Sequence, residues 1–172
     1  MSTTTTATRA TPPSSEGPSF PEAQLDAWRA LLDAHAGLMA RMEQALAEEQ
    51  LPPLGWYDVL SALHRAPDQS LRPRDLGLHL TISKSGLTRL VDRIAAAGLI
   101  ERRDCLTDRR GHLIALTDAG NSMLYEMWPI YASALEENFT RHLTRSEAET
   151  LGSLLDRLRQ EACDGASPDE DG

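Results

Sequence analysis

The sequence is poor in cysteine and has no long apolar run. Its 172 residues include two cysteines, Cys105 and Cys163. Two cysteines far apart in sequence do not make a disulfide framework, so a reducing cytoplasm is the expected compartment. No apolar stretch approaches the ~20 residues of a membrane span, and no membrane partner is expected. Residues 1–21, rich in Ser, Thr and Pro, lack the apolar segment of a secretory signal and read as a disordered tail. The acidic residues 164–172 read the same way. Catalytic constellations are also missing: there is no HExxH, no G-x-S-x-G and no phosphate loop. His35, His64, His79, His112 and His142 are scattered, and Cys105 with His112 lacks a zinc spacing. These absences argue against an enzyme, a resident metal and a cofactor.

Charge is unevenly distributed. From Leu71 to His112 nine basic residues stand against five acidic ones, a local net charge of +4, whereas the whole chain carries −9 and the remainder therefore −13. A basic face attracts the phosphate backbone of DNA, and an acidic remainder repels it from the other surfaces.

The same stretch has the layout of a winged helix-turn-helix. Pro73 can open a short helix held on the core by Leu76 and Leu80. Leu71 can pair as a strand of one or two residues. Ser83 is a candidate N-cap for a helix to about Ala97, with Leu87, Leu90, Val91 and Ile94 on its buried stripe. Gly98 supplies the left-handed stop and Leu99 the apolar contact after it. Residues 100–104 and 112–116 can pair as a hairpin whose polar loop contains Asp108, Arg109, Arg110 and Gly111.

Long helices flank this unit. Leu25, Trp28, Leu32, His35, Met39, Met42 and Leu46 fall on one stripe between residues 22 and 50, longer than one small domain needs, so part of it is expected to face a second copy of the chain. After Pro52-Pro53 a second helix runs from Leu54 to Arg65, with Tyr57, Leu60 and Leu63 or His64 inward. Thr117-Asp118 opens a helix expected to reach about His142 and to bend at Pro129. Thr144-x-x-Glu147 is a capping box before the last helix, whose apolar face is Leu151, Leu154, Leu155 and Leu158. The fold class is therefore mainly α with a small β hairpin. A domain spanning 22–163 contains a DNA-binding unit at about 54–117 between dimerisation helices at about 22–50 and 118–162.

The wing text Asp108-x-Arg110, the following Leu116-Thr117-x-x-Gly120 and Ser85-x-x-Thr88-Arg89-Leu90-Val91-Asp92-Arg93 together resemble the multiple-antibiotic-resistance regulator (MarR) family of bacterial transcription factors, over residues of about 22 to 161. The resemblance implies a homodimer on a palindromic operator in double-stranded DNA. Each recognition helix would enter a major groove, each wing a flanking minor groove. Arg110 would take the minor-groove role, oriented by Asp108. Ser83, Lys84, Ser85, Thr88 and Arg89 are candidates for base edges and nearby phosphates, and Arg72, Arg74, Arg103 and Arg109 complete the basic interface. The family commonly releases DNA on binding a small aromatic or phenolic effector, for which Trp28, His35, Met39, Trp56, Tyr57 and Leu60 are candidate contacts. Two other readings stay open: a winged adaptor that has lost DNA binding, and a thiol-based redox regulator using Cys105.

Overall fold

The computed structural model describes residues 19–80, 83–104 and 112–164, with Lys84, Asp104 and residues 162–164 described by backbone alone. Both tails, the Thr81-Ile82 turn, Cys105 and the wing tip bearing Asp108, Arg109, Arg110 and Gly111 lie outside the described residues. The chain divides into two compact units, residues 1–35 and 36–172. The first helix, α1 (Glu22–Glu48), begins in one and ends in the other. In the first unit Leu25, Trp28 and Leu32 of the expected stripe are exposed.

In the second unit the stripe continues through Met39, which is exposed, to Met42 and Leu46, which are buried. The Pro52-Pro53 break ends in α2 (Leu54–Arg65), whose first amide donates to Glu43 Oε2 of α1 at 2.7 Å. A carboxylate from one helix thus satisfies an orphan donor of the next, at the end where the helix dipole favours negative charge. A 3-10 turn (Pro67–Gln69) leads to β1 (Ser70–Leu71) and α3 (Pro73–Leu78), which buries Leu76 and packs Leu80 just beyond its end.

The α4 helix (Lys84–Ala96) starts where expected, with the Gly86 amide donating to Ser83 Oγ at 3.2 Å. It ends at Gly98, whose φ of +75° suits only glycine at ordinary cost. There the Leu99 amide reaches back to the Ile94 carbonyl and the Gly98 amide to that of Ala95, a Schellman closure. Leu99 is buried, as the contact after the stop requires.

Strands β2 (Ile100–Asp104) and β3 (His112–Leu116) pair antiparallel, with Ile100 opposite Leu116 and Asp104 opposite His112. The expected hairpin belongs to a three-stranded sheet in the order β1-β3-β2, because Ser70 and Leu71 pair with Ala115 and Ile114. Leu46, Leu60, Leu63, Leu76, Ile94, Ile114 and Met127 are almost fully removed from water and form the centre of the core. Each contributes about 1.5–3 kcal/mol by burial.

The α5 helix (Asp118–Asn138) continues through Pro129 but stops four residues short of His142. The Asn138 side chain donates back to the Ala134 carbonyl, Phe139 leaves helical angles at φ −134° and ψ −64°, and a 3-10 turn (Thr140–His142) follows. The capping box before α6 (Arg145–Asp164) is formed: the Thr144 amide donates to Glu147 Oε2 at 2.8 Å and the Glu147 amide to Thr144 Oγ1 at 3.4 Å. The Thr144 hydroxyl, which donates to Glu147 Oε2 at 2.7 Å, and then the Thr144 amide favour the charged form and hold the Glu147 carboxyl below its usual range. Leu154, Leu155 and Leu158 on α6 are exposed. No helix among the described residues is long and apolar enough to cross a membrane.

Candidate nucleic-acid interface

The burial of Leu87, Leu90, Val91 and Ile94 fixes how α4 is rotated, and so decides which side chains face out. Ser83, Ser85, Thr88 and Arg89 are exposed, and the two serine hydroxyls lie 3.3 Å apart beside the helix N-terminus. Lys84 shares that turn, but its side chain lies outside the described residues. Short hydroxyls at the start of a solvent-facing helix are the groups that can approach base edges in a major groove, and the amides of the first turn can meet a phosphate.

Basic residues from two neighbouring elements flank this helix. Arg74 of α3, Thr88 of α4 and Arg102 of β2 line one cleft of about 650 Å3, whose floor includes Leu87, Val91 and Ile114. Arg72, also exposed, precedes α3 and accepts the Leu76 amide on its carbonyl. Arg102 was not among the residues singled out from sequence. Its Nη2 donates to Asp92 Oδ1 of α4 at 2.5 Å, which ties the base of the wing to the recognition-type helix. The pattern available in the sequence was the alternation of β2: Ile100 is buried, so Arg102 shares its face and turns toward α4. Arg103 points to the opposite side with Glu101, and its Nε donates to Glu101 Oε1 at 2.6 Å. Asp108, Arg109 and Arg110 lie outside the described residues.

The residues singled out for an effector divide between different surroundings. Trp28 and His35, in the first unit, are exposed, as is Met39 in the second. Leu60 is a core residue with no exposed surface. Trp56 is half-buried, and its indole Nε1 has no hydrogen-bond partner among the described residues. Tyr57 stacks on Tyr131 of α5, centroids 4.2 Å apart at 17°, and Trp128 extends the stack at 6.1 Å. These three rings, with Asp58, Ser61, Arg65 and His79, line a cleft of about 240 Å3. Burial pushes the Tyr57 and Tyr131 hydroxyls up, helped by the neighbouring Tyr131 and Asp58 charges respectively. Asp58 is exposed along one edge yet flanked by protein on the other. Its carboxyl is raised first by desolvation and then by Glu43, with Arg65 opposing. Trp128 and Tyr131 escaped the sequence reading because they sit nearly a turn apart on α5, far along the chain from Tyr57.

Comparison with known proteins gives one consistent picture. Residues 49–111 match the model of the MarR family. The chain is 28% identical to the multiple antibiotic resistance protein MarR of Escherichia coli over 125 residues, 70% of this chain and 85% of that protein. It is 29% identical to the HTH-type transcriptional repressor YetL of Bacillus subtilis over 137 residues, 78% of this chain and 81% of YetL. Among solved structures, Sco3205 of Streptomyces coelicolor, a MarR family transcriptional regulator in complex with DNA, aligns with a TM-score of 0.77 at 26% identity, covering 86% of this chain and 92% of that one.

Proposed function

Because the chain belongs to the MarR family of transcriptional regulators, we propose that it works as a cytoplasmic homodimer that represses its own or neighbouring genes from a palindromic operator. Segments 22–50 and 118–162 join the two copies, and residues 54–117 of each form a DNA-binding unit. The exposed nose of α4, with Ser83, Ser85, Thr88 and Arg89, enters the major groove. Arg110 at the wing tip, oriented by Asp108, enters the minor groove. Arg72, Arg74, Arg103, Arg109 and Lys84 meet phosphates and bases nearby.

The observation that carries this reading is the rotation of α4. Its apolar stripe is buried, Ser83, Ser85 and Arg89 are left exposed, and Thr88 on the outer side lines one cleft with Arg74 and Arg102. A protein-binding adaptor has no need of that basic surround. Dimerisation is supported by apolar residues left exposed on α1 and α6, Trp28, Leu32, Leu154 and Leu158 among them. Such surface is costly to leave in water and suits a second copy.

The effector is a small aromatic or phenolic compound that enters the Tyr57, Trp128 and Tyr131 cleft. Stacked rings offer faces to an aromatic ligand, and Arg65 offers a partner for its negative charge. The His79 imidazole on the same cleft lies just past the end of α3, so a ligand there touches the element that precedes α4.

The test is protection mapping on DNA upstream of the protein's own gene, with and without phenolic acids, over a salt series. A protected palindrome, lost on adding ligand, is expected, with affinity falling steeply as salt rises. Salt-independent binding or no protection would favour the adaptor.

A further inference from the structure

The two arginines at the base of the wing are each held by a carboxylate. Arg102 is bound to Asp92 at 2.5 Å and Arg103 to Glu101 at 2.6 Å, and all four side chains are about half exposed. Ion pairs this exposed contribute little to stability, so the fold does not require them. They do change what the arginines present to DNA. The guanidinium–carboxylate pair as a whole carries no net charge toward a phosphate several ångströms away, because the carboxylate's repulsion offsets the arginine's attraction. Of the two pairs, Asp92–Arg102 is the one that joins α4 to β2, and Arg102 lines the same cleft as Arg74 and Thr88.

We propose that Asp92 is a specificity-determining residue that biases Arg102 toward the orientation it has beside α4. The proposal rests on the DNA-binding reading above. Binding to random sequence derives almost wholly from phosphate neutralisation in many registers, to which a swinging arginine can adapt and a tethered one cannot. In the operator complex α4 fixes one register. There Arg102 needs only one orientation, and while Nη2 stays on Asp92 its Nε and Nη1 have no hydrogen bond among the described residues. Asp92 therefore suppresses unspecific affinity more than operator affinity, and acts on DNA through Arg102.

The experiment measures binding of the full-length protein to its mapped operator duplex and to a random duplex over a salt series. Asp92→Asn is expected to raise affinity for the random duplex about three- to tenfold and to steepen its log–log salt slope by about one per subunit. Operator affinity is expected to stay level or fall, so the ratio of the two drops. Asp92→Glu is expected to restore the ratio, and in an Arg102→Gln background Asp92→Asn is expected to change nothing, which a general charge effect would not reproduce. An unchanged ratio, a parallel rise on both duplexes, or an effect that persists without Arg102 overturns the proposal. A wild-type protein that binds neither duplex overturns the DNA-binding reading itself, and is thereby distinguished from failure of the Asp92 assignment.

Discussion

The Thr117 hydroxyl donates to the Gly98 carbonyl at 2.8 Å. The same oxygen accepts the Gly120 amide at 3.0 Å, so one side chain closes the end of α4 and opens α5. The Thr117 amide adds a third link, donating to the Leu99 carbonyl at 3.2 Å. The recognition-type helix and the long helix after the wing are thus held together at a single residue.

Replacing that residue removes the cap and leaves the Gly98 carbonyl short of a partner. Thr117→Ala is expected to lower folding stability by about 1–2 kcal/mol, read from denaturant midpoints at unchanged slope. A variant as stable as the parent would show that neither bond matters.

Gly120 stands where any side chain would strike the chain. A Cβ built there comes 1.9 Å from the Leu99 carbonyl oxygen and 2.9 Å from Leu116 Cδ1. Backbone cannot move aside as a flexible side chain can, so Gly120→Ala is expected to cost about 1–3 kcal/mol, the range for overpacking. An alanine variant with an unchanged thermal midpoint would contradict the packing described at this corner.

At the wing, Arg110→Ala is expected to weaken operator binding by about 1–3 kcal/mol at fixed salt while the dimer stays intact. Titration of labelled operator, with sedimentation as the check on assembly, decides it. An equal dissociation constant refutes the minor-groove role.

The exposed leucines of α6 make the dimer testable. If Leu154 and Leu158 are buried by the partner, replacing both with Asp removes about 3–6 kcal/mol of apolar burial and leaves a folded monomer at micromolar concentration. Sedimentation that still shows a dimer would place the interface elsewhere.

Asp58 gives a pH dependence of known sign. Its folded pKa is raised above the ordinary value of 3.8, so the folded chain binds the proton more tightly than the unfolded one. The ionised carboxylate therefore costs stability above its folded pKa, and the cost fades as pH falls through the window between the two values. Asp58→Asn is expected to raise the denaturation midpoint at neutral pH and to leave it nearly unchanged below pH of about 3, where both forms are neutral. A gain that is the same at both pH values would assign it to something other than this charge.

Much of the architecture was already written in local sequence. Ser83, Gly98, Thr117 and the Thr144–Glu147 box each act on atoms within a few residues, and each hydrogen bond or dihedral angle came out as the spacing required. The early end of α5 was not legible, since a proline at position 129 signalled trouble earlier and Asn138 gave only a weak cue. The aromatic cleft was half legible. Tyr57 was visible on α2, whereas its partners Trp128 and Tyr131 meet it only after α5 has crossed the core.

By itself the sequence determined the order of helices and strands, the turn residues and the rotation of α4, because caps, glycine stops and apolar periodicity are short-range properties of the chain. Tertiary structure decided what is paired with what. The pairing of the short strand at Ser70–Leu71 with β3, the Glu43 cap on Leu54, the Leu99 carbonyl pressed on Gly120 and the hold of Asp92 on Arg102 all join positions whose approach depends on how the core packs. No periodicity records such distances, since they are set by the volume of buried side chains between the elements rather than by the order of residues along them.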